Sequence, residues 1–595
     1  MPSRIAHFAT LLSFAGLFCG LPASALEFHV AQLGDDESIG TIDQPFKTVS
    51  RAKAQVRKEI AKGLRQNIII SLHQGVYELS EPLIFSPEDS GTEVFSITYT
   101  AHKQDTVILS GGRQVTNWKA DKTGRWSADL PRVKAGKWFF RQLVVNDQRA
   151  TRARWPNTDG DLSIETVSED VKTFSFNQSL PSASLSEQNA ELVVFQHWSI
   201  SRGRVIASDN QHVTTATPMG WIGHGPHTTT VPERYSYIEH TLAGLDKPGE
   251  WFLDSTSGTL HYIPRQGETR SNTIAVAPHL ERLIVIEGTK DSPVRNIHFQ
   301  GIQFEDTDFP LPDIGYNEIQ AAHYGTTIDE RIYVHPVAIE CSWAEGIQFE
   351  RCRFAHFNSS AIGLGPGAHN NSILGCQIED IGGNGIMIGW RGKGELEGVL
   401  GGRLESDWAD PSDAPTGNEV SNCHIRQCGQ DSRGSCGIFV AFTANTRIAH
   451  NHIHDMPYTG VTIGFRWSPK SSTQTNCLVE NNHIHNVMKQ LADGGAIYTL
   501  GVQPQTTFRG NHIHDVERRP EAIGWPNNGF FMDQSSSGFL FEQNVVYQTA
   551  GSALRFNESK HEWHTWKDNF FENQASEAAQ AIIDEAGIKK QYRSH

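Results

Sequence analysis

The chain has 595 residues, 38% of them hydrophobic and 20% charged, with a formal net charge of −16. That length allows a large core and more than one domain, and the composition is that of a globular protein rather than a disordered one. The acidic balance, with no basic stretch to offset it, argues against nucleic acid and anionic membrane surfaces as partners.

Residues 1–25 read as an export leader: Arg4, an apolar run from Phe8 to Leu21, then Ala23-Ser-Ala25 as a small-residue cleavage pattern. The mature chain is expected in the periplasm or the medium. No later segment is apolar for long enough to span a membrane. Phe28-His-Val-Ala opens a strand, and Val49, Ala52, Val56 and Ile60 predict a helix over Phe46–Lys62 that ends at Gly63. A helix there suits the open end of a solenoid core. Stretches 67–72, 76–79 and 97–100 read as first coil turns, giving an N-terminal unit over 26–114.

From Val115 to Ile274 the coil pattern stops. Trp118, Trp126, Trp138, Trp155, Trp198, Trp221 and Trp251 fall there among β-rich segments broken by Gly and Pro. This predicts an inserted β-sandwich or barrel-like domain over 115–274. The coil resumes at Leu283-Ile-Val-Ile and continues through a unit over 275–574, and a short C-terminal helix (575–590) lies in the tail 575–595.

Within the second unit one phrase recurs, most plainly as Asn451-His-Ile-His-Asp, Asn482-His-Ile-His-Asn and Asn511-His-Ile-His-Asp. Weaker copies start at Cys352, Cys376, Cys423, Asn544 and Asn569, and the eight starts step by 24, 47, 28, 31, 29, 33 and 25 residues. A second phrase follows most copies: a small residue, then β-formers, as in Gly385-Ile-Met-Ile, Gly437-Ile-Phe-Val, Gly460-Val-Thr-Ile and Gly529-Phe-Phe-Met. Two short strands per period, joined by turns, predict an all-β right-handed parallel β-helix. Cys352, Cys376 and Cys423 occupy the place Asn takes later, so an internal stack of thiols and amides is expected. An odd count of seven cysteines after residue 25 excludes a fully paired framework, though Cys428 and Cys436 flank one turn and could pair. His452, His454, His483, His485, His512 and His514 form columns by repetition alone and are read as structural, with no metal and no cofactor expected.

The departures from the period carry the functional reading. The gap from ladder residue to small residue is nine positions after Asn451 but 14 after Cys423, 13 after Asn482 and 18 after Asn511. Longer loops span Asp306–His335 and Gly392–Thr416. Loops stacked at one corner build a wall, and a wall makes a cleft. That corner holds Asp493 and leads to Asp533, which alternation turns outward, with Tyr498 and Trp525 nearby. Two exposed outward carboxylates beside aromatic rings suit glycosidic cleavage, one as general acid and one as nucleophile or base. On a straight strand their offsets would separate them by roughly 20 Å, so the loop must fold back over the sheet. Otherwise Glu521 or Glu517 is the better partner. His564, in irregular aromatic sequence after the last turns, is a further candidate for the cleft.

Several phrases together resemble glycoside hydrolase family 141, described for α-L-fucosidase and xylanase activity. They are Asp43-Gln-Pro-Phe-Lys-Thr, the stretch Leu143–Asn157, Leu245–Asp254, and Asp493-Gly-Gly-Ala-Ile-Tyr-Thr-Leu-Gly501. The resemblance spans nearly the whole mature chain. It implies a catalytic pair at Asp493 and Asp533, where the family's Tyr-Leu-Asp-Glu reads Phe-Met-Asp533-Gln, and places His197, Trp198, Arg466 and Trp467 near the sugar. The leading expectation is an exported, monomeric, exo-acting glycoside hydrolase on a plant or algal polysaccharide, α-L-fucosidase-like. Alternatives are a xylanase, β-xylosidase or α-galactosidase, a polysaccharide lyase, and a non-catalytic carbohydrate-binding β-helix.

Overall fold

The computed structural model describes residues 25–593 apart from 159–161, 182–184, 221–229, 314, 319, 321–323, 327–331, 392–393, 397–406 and 573–575. The leader therefore lies almost wholly outside the described residues, as do Trp221 and much of the loop from Gly392.

The chain winds into a parallel β-helix with three sheets, of 12, 11 and 10 strands. One coil runs Leu478–Glu480, His483–Val487 and Gly495–Thr499, one strand in each sheet, before Val502–Arg509 restarts the first sheet. Sequence periodicity shows two strands per coil; there are three. The missed strand abuts the ladder phrase with only Asn481 between them, at φ 51°, so no separate turn signature marks its end. Asn adopts this left-handed conformation more readily than most residues, which suits it to a one-residue bend.

Stacking in register fills the core. Ile425, Ile453, Ile484 and Ile513 are consecutive ladder partners and fully buried. Phe299 stacks on Phe349 at 5.0 Å and Phe304 on Phe354 at 5.2 Å. At the bend the thiols of Cys352, Cys376 and Cys423 each donate to a carbonyl of the preceding coil at 3.4 Å. Beyond them Asn451, Asn482, Asn511 and Asn544 pass one amide hydrogen bond per coil, Nδ2 to the next Oδ1, at 2.9–3.0 Å. Each Nδ2 also donates to a carbonyl of the coil before, so these buried amides are satisfied along the axis. All seven described cysteines are buried free thiols, and Cys428 and Cys436 do not pair.

The histidines stand on the outer face of the same sheet. His483 and His512 stack at 4.6 Å, and His485 and His514 at 5.0 Å. Burial, reinforced by neighbouring imidazoles, pulls His452 down to about 3 and His512 to about 4, so these rings are uncharged at neutral pH. Helix Val49–Ala61, capped by Thr48, covers one end of the core. The C-terminal helix is shorter than expected, Glu577–Glu585, because Ser576 caps its start and extended backbone at Ala586 ends it. Among the described residues no helix is long and apolar enough to cross a membrane.

Between Val107–Ser110 of the second sheet and Ile284–Glu287 of the third, the chain leaves the coil to build the insertion. Gly112–Val115 pairs antiparallel with Ala275–Pro278 where the chain departs and returns. One part packs Trp118, Trp126, Phe140, Trp251 and Tyr262 into an aromatic core. In the other, six strands close into a barrel: Leu162–Val167, Thr173–Phe176, His212–Thr215, Ile200–Ser208, Glu191–Phe195 and Tyr235–Glu239 pair in a ring. The insertion leaves from the same corner, second sheet to third, that carries the enlarged loops after Thr307, Cys428, Val487 and Val516. These loops and the insertion therefore share one corner, and Gly394–Leu396, from the next corner, pairs with Ile332–Val334 beside them.

Buried charge fastens the insertion to that wall. Arg141 and Arg202 each contact Glu191 of the barrel and Asp431 of the corner after Cys428, at 2.8–3.0 Å. Arg152 and Arg202 also meet Glu239. Burial alone would raise Asp431, but the two arginines outweigh it and hold the carboxyl well below the usual range. Three guanidiniums thus face three carboxylates in a water-poor site, where losing one partner strands the others. Asp431→Ala should cost about 3–5 kcal/mol, seen by calorimetry as earlier melting, with barrel and coil transitions drawn apart.

Candidate active site

The outer face of the ten-stranded sheet positions the two aspartates. Ile463, Thr499, Met532 and Phe556 are in register, as are Thr462, Tyr498, Phe531 and Arg555 in the adjacent column. The first column points to the core, so the second points out, beneath the wall. Asp533 follows Met532 and emerges on the outer side, as alternation predicts. Its exposure does not follow the prediction: only 4% of it is accessible, because Tyr498 and the segment around Asn557 close over it.

Asp533 is held at both oxygens. The Tyr498 hydroxyl donates to Oδ2 at 2.5 Å, and Asn557 Nδ2 and the Gln534 backbone N–H donate to Oδ1 at 2.7 and 2.9 Å. These donors favour the ionised form, yet burial outweighs them and the nearby Asp493 charge adds to it, so the carboxyl titrates above its ordinary value. The Tyr498 phenol is itself pushed far up by burial and by Asp533, and stays a donor.

Asp493 is placed by a turn. Its backbone is left-handed at φ 61°, its N–H donates to Trp525 O at 3.0 Å, and its carbonyl accepts from Gln320 Nε2 at 2.7 Å and from the Tyr458 hydroxyl at 3.1 Å. This clamp folds the loop back over the sheet, the manoeuvre that the offset in sequence requires. The side chain, 16% exposed, pairs with Arg555 at 2.7 Å. The Arg555 guanidinium lies over the Phe531 ring at 4.1 Å and 5.8 Å from that of Trp525. The Tyr498 hydroxyl, whose one proton goes to Asp533, is also 3.2 Å from Gln320 Oε1, so Gln320 sets the Asp493 backbone beside the tyrosine that holds Asp533. The two acids thus share one hydrogen-bonded frame in opposite surroundings: one buried among neutral donors, one against a cation.

The other predicted residues divide. Trp525 is 60% exposed beside Arg555, an open ring of the kind on which an apolar sugar face stacks. His197 is buried, and its carbonyl takes the Ala492 N–H at 2.8 Å, so it pins the insertion to the Asp493 loop. Trp198 packs half-buried against the coil core. Arg466 turns to Ser468 and Ser471 of its own loop, and Trp467 packs edge-on to Phe465 at 4.5 Å. Glu521 is exposed and ion-paired with Arg519 at 2.9 Å, a surface contact of its loop that leaves Asp493 as the neighbour of Asp533. His564 does not line the cleft. It stacks on Phe539 at 5.0 Å in the C-terminal cap, and burial lowers it to about 4. Its segment reaches the acids through Asn557 instead.

Sequence reasoning missed Arg555, Asn557, Tyr458 and Gln320. Arg555 had a signal, since Ala553-Leu-Arg-Phe continues the second phrase one coil further and puts Arg in the column of Tyr498 and Phe531. Gln320 had none, because its loop has no period.

Residues 124–265 match the family described as GH141 insertion domain, and 283–464 with 412–589 match the right-handed beta helix region. A solved glycoside hydrolase aligns over 96% of this chain and 100% of its own, at 25% identity and TM-score 0.82. A complex of XylC with xylose aligns over 89% and 70%, at 15% identity and TM-score 0.47. The GH136 lacto-N-biosidase of Eubacterium ramulus aligns over 92% and 67%, at 13% identity and TM-score 0.35. The last two superpose too partially to bear on the site. No curated protein matches the chain.

Removing the Tyr498 hydroxyl takes a donor from the Asp533 carboxylate and so favours its protonated form. In Tyr498→Phe the carboxyl C=O infrared band assigned to Asp533 should titrate at higher pH than in the parent. An unchanged or lower midpoint would contradict the geometry.

Proposed function

This chain belongs to the right-handed β-helix family and is a glycoside hydrolase carrying the family 141 insertion domain, and from that premise we propose an exported, exo-acting enzyme of α-L-fucosidase type. It acts as a monomer on a plant or algal polysaccharide. One observation carries the mechanism: Asp493 and Asp533 lie in one frame, Asp533 buried among neutral donors that leave its carboxyl raised and Asp493 paired with the Arg555 cation. Environments that separate two carboxyls in this way assign acid and base.

Asp533, raised by burial, holds the proton and delivers it to the departing glycosidic oxygen. Asp493, paired with Arg555, faces the anomeric carbon, either as nucleophile or as the base that activates water. Positive charge developing on the sugar ring in the transition state is stabilised by that carboxylate, preorganised by Gln320, Tyr458 and Trp525. Trp525 supplies the stacking face, and Tyr498 and Asn557 hold the acid in place.

Activity should fall as pH rises through the Asp533 titration, because the acid is then deprotonated. Asp493→Asn and Asp533→Asn should each lower kcat by orders of magnitude while circular dichroism stays native. Asp533→Asn should lose least on aryl glycosides with good leaving groups, which need no proton, and its profile should lack the basic limb. A panel of aryl α-L-fucoside, β-xyloside and α-galactoside, followed alongside ultraviolet absorbance for unsaturated uronate, tests the class. Fucoside cleavage supports the proposal and cleavage of another member moves the specificity. An ultraviolet signal without aryl cleavage would replace hydrolase by lyase, and oligosaccharide binding with no turnover would make the protein a binding module.

A further inference from the structure

The histidine columns lie on the outer face of the eleven-stranded sheet, a different face from the aspartates. Their rings do more than stack. Across the columns His424 meets His454 at 2.7 Å, His452 meets His485 at 2.8 Å, and His483 meets His514 at 2.8 Å, each through Nε2 to Nε2. In His424/His452/His454 and in His483/His512/His514, one ring nitrogen from each residue lies within 4.8 Å of the others. A groove of about 330 Å³, lined by His424, His452, His483, Asn422, Gln377 and Arg593, opens this face to solvent.

Two of the rings also meet carboxylates. His454 Nδ1 is 2.8 Å from Asp455 Oδ2, and His514 Nδ1 is 2.7 Å from Asp515 Oδ2. The coil between them has Asn486 in that place. All three residues occupy the same left-handed bend, at φ 54°, 49° and 47°. The same bend takes Asp306 and Asp380 as well, so the backbone accepts either residue, and what sets Asp455 and Asp515 apart is the imidazole each one holds. Lys489 pairs with Asp455 at 3.1 Å and keeps that carboxyl ionised. A carboxylate can only accept, so Nδ1 of His454 and of His514 carries the proton and Nε2 offers its lone pair toward the column. This carboxylate–histidine pair is the outer-shell arrangement that orients metal-ligating imidazoles.

We propose that the ladder binds two divalent transition ions of the zinc class, one at His424/His452/His454 and one at His483/His512/His514, each oriented by its aspartate. The ion replaces the hydrogen bond between paired Nε2 atoms: the donor ring, His424 or His483, passes its Nε2 proton through solvent to its own Nδ1. The third ring, His452 or His512, exchanges its contact with His485 or Tyr547 for the ion, so that one lone pair from each of the three rings faces the metal. Ligand nitrogens at about 2.0–2.1 Å from a tetrahedral ion lie about 3.3 Å apart, so the paired rings separate by about half an ångström. Imidazole-only sites suit zinc, copper and nickel and reject calcium and magnesium.

Isothermal titration of the full exported chain, stripped with chelator, with zinc chloride should give two equivalents, and calcium chloride should give none. His514→Gln should lose one equivalent. Asp515→Asn, which the bend tolerates, should keep the fold and weaken one of the two about 10–100-fold. Glycosidase activity should not change in either variant. Absence of zinc binding, or two equivalents of unaltered affinity in Asp515→Asn, would overturn the proposal, as would equal uptake of calcium.

Discussion

Three guanidiniums and three carboxylates, all but Asp431 buried, fix the insertion on one corner of the coil, and the rest of the site depends on them. The insertion is a domain with its own cores, hung on a coil by the strands at residues 112–115 and 275–278. Arg141 and Arg202, gripping Glu191 on one side and Asp431 on the other, convert that attachment into a fixed wall. Glu318 lies beside them, accepting from Ile200 N–H in the barrel and Gly434 N–H in the corner, and burial pushes it up to about 8, so it adds a hydrogen-bonded tie and no charge at neutral pH. Ion pairs so buried are costly to form and specific in register, since misplacing one leaves a charge unmatched in low dielectric. Gln320, on the same loop as Glu318, is thereby brought over the sheet, where it holds the Asp493 carbonyl beside Tyr498.

The site follows from that wall. A β-helix face alone presents a flat column, here Thr462, Tyr498, Phe531 and Arg555, open to water on one side. Roofing it removes water, and the same cover that hides Asp533 raises its carboxyl. Asp493 instead meets a positive partner, Arg555, one coil beyond Phe531. Two residues of one type thus acquire different chemistry from what is packed against them.

Repetition also has an informative underside. The amide chain through Asn451, Asn482, Asn511 and Asn544 is uniform and purely structural, each link satisfying the next. The histidine columns look equally uniform until the flanking acid is considered, and there the middle coil differs. In a solenoid, identity from coil to coil is the expectation of the fold, so function is sought where a coil departs from it.

By itself the sequence determined the coil, its axial ladder, the corner that swells, and the identity of Asp493 and Asp533 as outward groups. These depend on short-range periodicity: side chains alternate, turns recur, and a column is generated by adding one coil. It did not reveal the third strand of each coil, which shares its boundary with the ladder phrase, nor that His564 faces the core while Asn557 reaches the acid. The partners of the acids were decided only in three dimensions. Arg555 lies 62 positions from Asp493 and Gln320 lies 173 before it, brought together by stacking and by docking of the insertion. Burial, which set Asp533 apart from Asp493, belongs to the assembled wall and to no segment of the chain.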